Sequence, residues 1–247
     1  MSNLIPVYNS KMDCPACGKN FEFGKVRSKT VRFLGQETDL FPNYEGENPL
    51  FYDAVICPYC GFAYIGTEFG LLNRNDYQAI RTKVTPKWAR RNFDGPRTVD
   101  QAIEAYKIVL LNSTARQAPA SEFAKDCMRL AWMHRIKGDS VIEMKYMERA
   151  FQFYQDAYMK EHLPVGKLDE FTVMYMVGEL GRRIGRYKDS LTWFSRLISA
   201  GMNPASKSRI PGNLLEMARD QTIITKEEMK AAGVGLEDEA ESSAGSK

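Results

Sequence analysis

The sequence predicts an α+β protein that is mostly α, with a small β module followed by an array of antiparallel helical hairpins. Three observations lead to this fold class. Residues 12–70 alternate apolar and polar side chains with the period of a strand, whereas residues 75–232 space their apolar side chains as a helix does. A duplicated Cys-Pro-x-Cys-Gly motif lies in the first of these parts. The 247 residues exceed the usual length of one domain, about 100 to 200 residues, so two units are expected.

The composition is that of an ordinary globular chain, since 44% of the residues are hydrophobic and 26% are charged. The net charge of +3 is too small to indicate nucleic acid or an anionic membrane as a general partner. The sequence has no signal-peptide pattern and no apolar run of about 18 residues, so we expect a cytoplasmic protein that engages no membrane. In a reducing cytoplasm, paired cysteines indicate metal ligands or redox groups before disulfides.

We expect the β module to occupy residues 1–73, with residues 1–11 as a short lead-in. Strands are predicted where apolar and polar residues alternate, at 21–23 and at 31–33. The aromatic and apolar run at 51–56 also predicts a strand, because a proline lies on either side of it. A module this small is expected to fold around a metal ion, with its aromatic residues as the core.

The two cysteine motifs, at residues 14–18 and 57–61, have the form of metal-binding knuckles, and 39 residues lie between Cys17 and Cys57. In such a turn the backbone N–H groups point at the first sulfur, and the closing glycine takes the positive φ that the turn needs. Two knuckles supply four thiolates, the complete tetrahedral shell of a structural zinc ion. The sequence therefore predicts one structural zinc, bound by Cys14, Cys17, Cys57 and Cys60.

Three alternatives for these cysteines stay open. A rubredoxin-like iron site uses the same four-sulfur shell. The string Cys57-Pro58-Tyr59-Cys60 also occurs in dithiol redox sites, but those sites open a long helix, whereas Gly61 and a strand-like run follow here. Two disulfides would require an oxidising compartment.

The other candidate residues predict structure rather than chemistry. Neither His134 nor His162 lies near the knuckles in sequence, and we expect a packed side chain and a helix-end residue, respectively. Cys127 lies in an apolar helical stripe and is expected to be buried. The glycines of 178–181 are predicted to serve helix packing. Since no phosphate loop, nucleophile elbow or carboxylate pair is present, we predict no catalytic or cofactor-binding residue and no enzymatic activity.

A basic segment, residues 74–97, joins the two predicted units and carries seven basic residues against two aspartates. A helix that begins at Pro86 would place Lys87, Arg90 and Arg91 on one face, which suits the tracking of nucleic-acid phosphates. The alternatives are a solvated linker helix or a basic face docked on the β module. The basic residues are Arg74, Arg81, Lys83, Lys87, Arg90, Arg91 and Arg97.

The helical domain is predicted to span residues 98–232. Thr98 and Gln101 have the form of a capping box, so a helix should begin there, and a similar string at 225–228 predicts a short last helix. Glycines should end the helices between these points. The acidic tail, residues 233–247, is expected to be disordered. The helix-ending glycines are Gly138, Gly166, Gly185, Gly201 and Gly212.

Three helices of this domain repeat one apolar pattern, in which a small residue is followed by an aromatic residue four positions later and an apolar residue three beyond. The pattern resembles tetratricopeptide repeats, although the spacings of 48 and 40 residues exceed the usual period of about 34. The alternative is an irregular helical bundle. The aligned positions are Ala102, Ala150 and Ser190, then Tyr106, Tyr154 and Phe194, then Val109, Ala157 and Leu197.

The runs CPACGKNFEF at 14–23 and NPLFYDAVICPYCGFAYIGTEF at 48–69, followed by the helical tract, resemble an uncharacterised bacterial family, domain-of-unknown-function family 2225. The resemblance covers about residues 5–225 and includes all four cysteines. It implies a bacterial cytosolic protein with this layout and adds no reaction.

These observations lead to three hypotheses of function. The first is a non-enzymatic zinc-binding adaptor or scaffold whose helical repeats bind a protein or peptide partner. The second is a nucleic-acid-associated zinc-ribbon protein that uses the basic segment, residues 74–97. The third is a rubredoxin-like or dithiol redox protein that works through the cysteines.

Overall fold

The computed structural model describes residues 5–66, 72–165 and 168–235. The chain divides into two compact units, Met1–Ala150 and Phe151–Lys247. The fold class is α+β and mostly α, as predicted, with β-hairpins that precede the helices. None of the described helices is long and apolar enough to cross a membrane.

The first unit begins with three antiparallel β-hairpins, whose strands are β1 (Val7–Asp13) with β2 (Asn20–Val26), β3 (Val31–Gln36) with β4 (Pro42–Gly46), and β5 (Ala54–Ile56) with β6 (Ala63–Ile65). The strands predicted at 21–23 and 31–33 are confirmed. The lead-in predicted for residues 1–11 is wrong from Val7 onward, because Val7–Asp13 pairs with β2. The run 51–56 is a strand only in its second half, since Pro49–Tyr52 forms a 3-10 turn that the Asn48 side chain caps.

The basic segment contains one short α-helix, α1 (Arg74–Ala79), which Asn73 caps. The chain then widens into a π turn, Ile80–Val84, and tightens into a 3-10 turn, Thr85–Lys87. The helix predicted to begin at Pro86 is wrong, because Trp88 is extended, at φ −81° and ψ 118°, and no helix or strand follows until Val99.

Helix α2 (Val99–Arg116) begins at the predicted capping box, in which Thr98 and Gln101 bond each other's backbone N–H groups. Helix α3 (Ala120–Lys137) packs against it and ends at Gly138 in the left-handed conformation. Helix α2 also packs on β5 and β6. Because of this contact, the cysteine hairpins and α2 belong to one compact unit, which ends at residue 150. The domain boundaries predicted from the sequence, at residues 73 and 97, stay predictions.

A buried carboxylate fastens the β3–β4 hairpin to α3. Asp39 is completely buried and accepts hydrogen bonds from the Trp132 indole, at 3.1 Å, and from the Arg135 guanidinium, at 2.6 Å. Arg135 also pairs with Glu37 and Glu143, the latter on helix α4 (Ser140–Lys160). The carboxylate is therefore both hydrogen-bonded and charge-paired, as a buried ion must be.

The second unit contains α5 (Glu170–Arg183), α6 (Tyr187–Ala200), the short α7 (Pro204–Lys207) and α8 (Leu214–Ala231). Helices α5 and α6 pack against each other, and both pack against α8. A Cβ atom on Gly178 would lie 2.6 Å from the Phe194 ring, so the glycines of 178–181 permit close packing, as predicted. The helix start predicted at Thr225 is wrong, because Thr225 is buried within α8 and its hydroxyl donates to the Gln221 carbonyl.

All nine aligned positions of the predicted repeat are buried, as a shared apolar face requires. Their relation to tetratricopeptide repeats stays a prediction. Helices α3, α5 and α6 end at or just before Gly138, Gly185 and Gly201, whereas the stop predicted at Gly166 lies outside the described residues. The disorder predicted for the tail also falls outside them from residue 236 onward.

Candidate metal centre

The first knuckle is the turn that joins β1 to β2. The Cys14 amide donates to the Lys19 carbonyl, at 3.0 Å, and the Gly18 amide donates back to the Cys14 carbonyl, at 2.7 Å. Gly18 has a φ of +71°, which a residue with a Cβ adopts only with strain. The turn therefore has the closed form that the sequence predicted.

The second knuckle joins β5 to β6 and repeats this pattern. The Cys57 amide donates to the Phe62 carbonyl, at 2.8 Å, and the Gly61 amide donates to the Cys57 carbonyl, at 3.0 Å, with a φ of +76° at Gly61. A strand follows the turn, whereas a dithiol redox site would open a helix. The string Cys57–Cys60 thus has the geometry of a knuckle.

The two knuckles bring their four cysteines together. The Sγ atoms of Cys14, Cys17, Cys57 and Cys60 all lie within 4.8 Å of one another, and all four thiols are free. The Cys14 and Cys60 sulfurs are 3.6 Å apart, and those of Cys17 and Cys57 are 3.7 Å apart. A tetrahedral ion with metal–sulfur bonds of about 2.3 Å separates its sulfurs by about 3.8 Å, so the four cysteines could hold a metal ion.

The electrostatics of the cluster also favour a cation. Hydrogen bonds from the Cys14 and Cys60 thiols lower the pKa of Cys57. The contact with Cys57 and burial raise the pKa of Cys14, while the contacts with Cys14 and Cys57 and burial raise the pKa of Cys60. These three buried sulfurs therefore support one thiolate readily and oppose the next. A bound divalent cation would reverse that balance, because it stabilises every thiolate that it ligates.

A compact apolar shell surrounds the sulfurs. Cys14, Cys57 and Cys60 are at most 4% exposed, whereas Cys17 is exposed. The predicted aromatic core is present, since Phe21, Phe23 and Phe62 are buried in the same cluster. Leu72 packs against the cluster, and Ile80 and Val84, from outside the β module, complete it.

Three side chains from the helical part of the first unit bind the carbonyls of the second knuckle. The Thr85 hydroxyl donates to the Cys60 carbonyl, at 3.1 Å, and the Trp88 indole donates to the Pro58 carbonyl, at 2.9 Å. The Asn112 amide, on α2, donates to the Gly61 carbonyl, at 3.0 Å. We refer to Thr85, Trp88 and Asn112 as the knuckle clamp.

Sequence reasoning missed the knuckle clamp. One signal was available, because Asn112 is a polar residue on the apolar face of α2, where a buried amide requires a partner. Trp88 also fills the space above Gly61, where a Cβ would lie 2.6 Å from the indole ring. Two constraints therefore require glycine at position 61, the positive φ of the turn and the close approach of the Trp88 ring.

The basic segment contacts the β module through aromatic rings and carbonyls rather than through the module's described acidic groups. The Arg90 guanidinium lies 4.8 Å from the centroid of the Tyr59 ring, and Lys19 lies 5.0 Å from the same centroid. Arg91 pairs with Glu104, while the buried Arg97 donates to the carbonyls of Phe51, Ala54 and Phe93. Four thiolates carry more negative charge than a divalent ion neutralises, so cations near the knuckles would stabilise a metal-loaded centre electrostatically.

The remaining candidate residues of the sequence lie apart from the cysteine cluster. Cys127 is buried in α3, and burial raises the pKa of its thiol to about 12. His134 is buried, stacks on Tyr146, and has a pKa that burial lowers. His162 is exposed two residues beyond the end of α4. Within the described ranges, the four cysteines form the one group with metal-binding geometry.

A second candidate site is an open groove in the second unit, between α4, α5 and α6. Its volume is about 730 Å³, within the range of about 300 to 1,000 Å³ of ligand pockets. The Tyr158 ring meets the buried Trp193 edge to face, with centroids 5.0 Å apart. We refer to it as the α4–α6 groove, and its lining residues are Tyr158, Met174, Leu191, Thr192, Ser195, Arg196 and Ser199.

Comparisons with known proteins find a bacterial family without an assigned activity. The model of the family described as "Uncharacterized protein conserved in bacteria (DUF2225)" matches residues 7–224. A curated relative from Borreliella burgdorferi, named "Uncharacterized protein", is 24% identical over 283 residues, which cover 93% of this chain and 99% of the relative. No solved structure matches the chain. The family match spans both cysteine knuckles and the α4–α6 groove.

Proposed function

The chain belongs to the family of uncharacterized bacterial proteins DUF2225, and we propose that it is a zinc-folded, non-enzymatic adaptor that binds a protein or peptide partner through its helices. The α4–α6 groove is the observation that carries the proposal. It is open and lined mainly by apolar and hydroxyl side chains, which suits the docking of a chain segment better than the enclosure of a reacting molecule. The metal centre supports it by fixing the fold.

We assign the metal as one structural zinc held by Cys14, Cys17, Cys57 and Cys60. Four thiolates complete the tetrahedral shell, whereas a catalytic zinc site keeps a position open for water or substrate. The alternative is iron, which accepts the same shell. Elemental analysis of reduced protein, together with its visible spectrum, separates the two, because a zinc centre is colourless and a rubredoxin-like iron centre is red. Protein that contains neither metal would contradict the assignment.

A photocrosslinking experiment tests the adaptor role. A photoreactive amino acid at Thr192, in the groove, should capture a partner in bacterial cells that express the chain. The same residue at Glu216, which is exposed on α8 outside the groove lining, serves as the matched control. Adducts specific to position 192 support the proposal. Equal adducts at both positions, or none at position 192, would count against it.

The nucleic-acid alternative has less support than the sequence suggested. Two of its seven cations are already engaged within the chain, since Arg91 pairs with Glu104 and Arg97 is buried. Retention on a polyanion column that weakens with salt, and that is lost on Arg90→Glu, would restore this alternative. The redox alternative predicts thiols that cycle between reduced and oxidised states with glutathione.

A further inference from the structure

We propose that the α4–α6 groove selects peptide segments in which a carboxylate lies beside an apolar side chain, and that Arg196 is the residue that reads the carboxylate. This inference rests on the proposed adaptor function and adds the chemistry of the partner. It follows from the distribution of charge, apolar surface and hydrogen-bonding groups along the groove.

Arg196 carries the only charge among the described residues that line the groove. Its guanidinium lies 4.8 Å from the centroid of the Trp193 ring, and no carboxylate of the described chain pairs with it. The cation–π contact with the ring uses no N–H donor, and Arg196 is exposed, so its N–H donors are accessible to a ligand. A carboxylate can therefore bind these donors in the bidentate manner that guanidinium favours.

The apolar part of the groove lies beside this cation. Tyr158, Met174 and Leu191 come from three different helices and expose part of their surface in the groove. Trp193 supports both parts, because its ring contacts both Tyr158 and Arg196. A peptide that fits the groove must therefore carry an apolar side chain and a carboxylate at neighbouring positions of its sequence.

The exposed face of α6 offers further hydrogen-bonding groups. Thr192, Ser195, Arg196 and Ser199 follow the spacing i, i+3, i+4 and i+7, so their side chains lie along one side of the helix. Thr192 already donates to the Lys188 carbonyl. The hydroxyls of Ser195 and Ser199 have no hydrogen bond within the described chain, and both side chains are exposed. They are placed to bind the backbone of an extended peptide.

Two fluorescent peptide pools test the selectivity on the full chain. Each peptide has eight residues with a central Leu, and the next position is Asp in one pool and Asn in the other, with random uncharged residues elsewhere. We expect the Asp pool to bind about fivefold more tightly in fluorescence anisotropy, since Arg196 is exposed and solvent screens its charge-assisted contact with the carboxylate. Equal affinities for the two pools would overturn the carboxylate selectivity.

Substitution locates the interaction. Arg196→Gln should lower the affinity for the Asp pool about fivefold and leave the Asn pool unchanged. Arg219→Gln, which changes an exposed arginine on α8, should alter neither affinity. Ser195→Trp should block the groove and lose both pools. Circular dichroism of each variant checks the fold. Unchanged binding by Ser195→Trp would refute the groove as the site.

The outcomes separate this inference from the proposed function. If both pools bind the wild-type chain equally, or if Arg196→Gln binds the Asp pool as the wild type does, peptide binding stands and only the role of Arg196 fails. If neither pool binds at millimolar concentration while photocrosslinking at position 192 captures a partner, the adaptor role stands and the peptide chemistry fails. If both experiments are negative, the proposed function fails as well.

Discussion

Replacement of Asn112 by leucine tests how the metal centre is joined to the helices. The Asn112 side chain is completely buried and donates to the Gly61 carbonyl and to the Ile108 carbonyl. The second carbonyl also belongs to the α2 backbone ladder, so its loss is small. The Gly61 carbonyl loses a buried donor, which costs about 1 to 3 kcal/mol. Leucine has a similar volume and leaves little cavity.

This cost should appear in the affinity for zinc. We expect the second knuckle to form only around its ion, as small metal-binding modules do, so that the carbonyl of Gly61 is desolvated in the loaded protein and solvated in the metal-free protein. A penalty of 1 to 3 kcal/mol on the loaded state alone lowers the apparent affinity roughly 5- to 150-fold. Competition with a chromophoric chelator measures it, with Lys107→Leu, exposed on α2, as the control. Unchanged zinc affinity, with a lowered free energy of unfolding, would refute the coupling.

Three further results are expected. In a variant whose other two tryptophans are phenylalanine, removal of zinc by a chelator should shift the fluorescence emission of Trp88 to longer wavelength, because the indole loses its hydrogen bond to the Pro58 carbonyl and becomes hydrated. Unchanged emission would show that this contact is independent of metal. Gly178→Ala should lower the free energy of unfolding by about 1 to 3 kcal/mol, seen in denaturant titration, since the new Cβ would overlap the Phe194 ring. Burial raises the pKa of Asp126 to about 6, above its value in the unfolded chain, so the free energy of unfolding should gain from protonation of Asp126 as the pH falls from 7 to 5. The Asp126→Asn variant should lack this gain. Parallel profiles of the free energy of unfolding against pH for the two proteins would contradict the expectation.

The local part of the metal centre was predictable from the sequence because each knuckle is specified by five consecutive residues. The positive φ at Gly18 and Gly61 and the return of each chain as a strand follow from that short pattern. The convergence of the two knuckles was predictable as well, because a four-sulfur shell needs both. The duplicated cysteine motif therefore predicted a long-range contact, that between the two knuckles, which local sequence patterns alone do not predict.

The knuckle clamp was not predictable in the same way. The Trp88 indole reaches a carbonyl 30 residues earlier in the chain, and this contact holds Trp88 extended where helical spacing predicted a helix. At Thr225 the error has another cause. A capping-box string marks a helix start only where the preceding residues are not helical, and Leu214, Ala218 and Gln221 already continue the buried face of α8.

The clamp also determines how the metal ligands and α2 should depend on each other. Strands β5 and β6 have three residues each, and an isolated hairpin of this size is marginally stable at best. We therefore expect the hairpin to be held from both sides, by the proposed zinc at Cys57 and by the amide of Asn112. If Cys57→Ser already releases the knuckle, Asn112→Leu has little left to disrupt. We expect the double variant to lose less free energy of unfolding than the sum of the single variants, by about 1 kcal/mol or more in the zinc-loaded protein. Strict additivity in this double-mutant cycle would mean that the ion and α2 stabilise the hairpin independently.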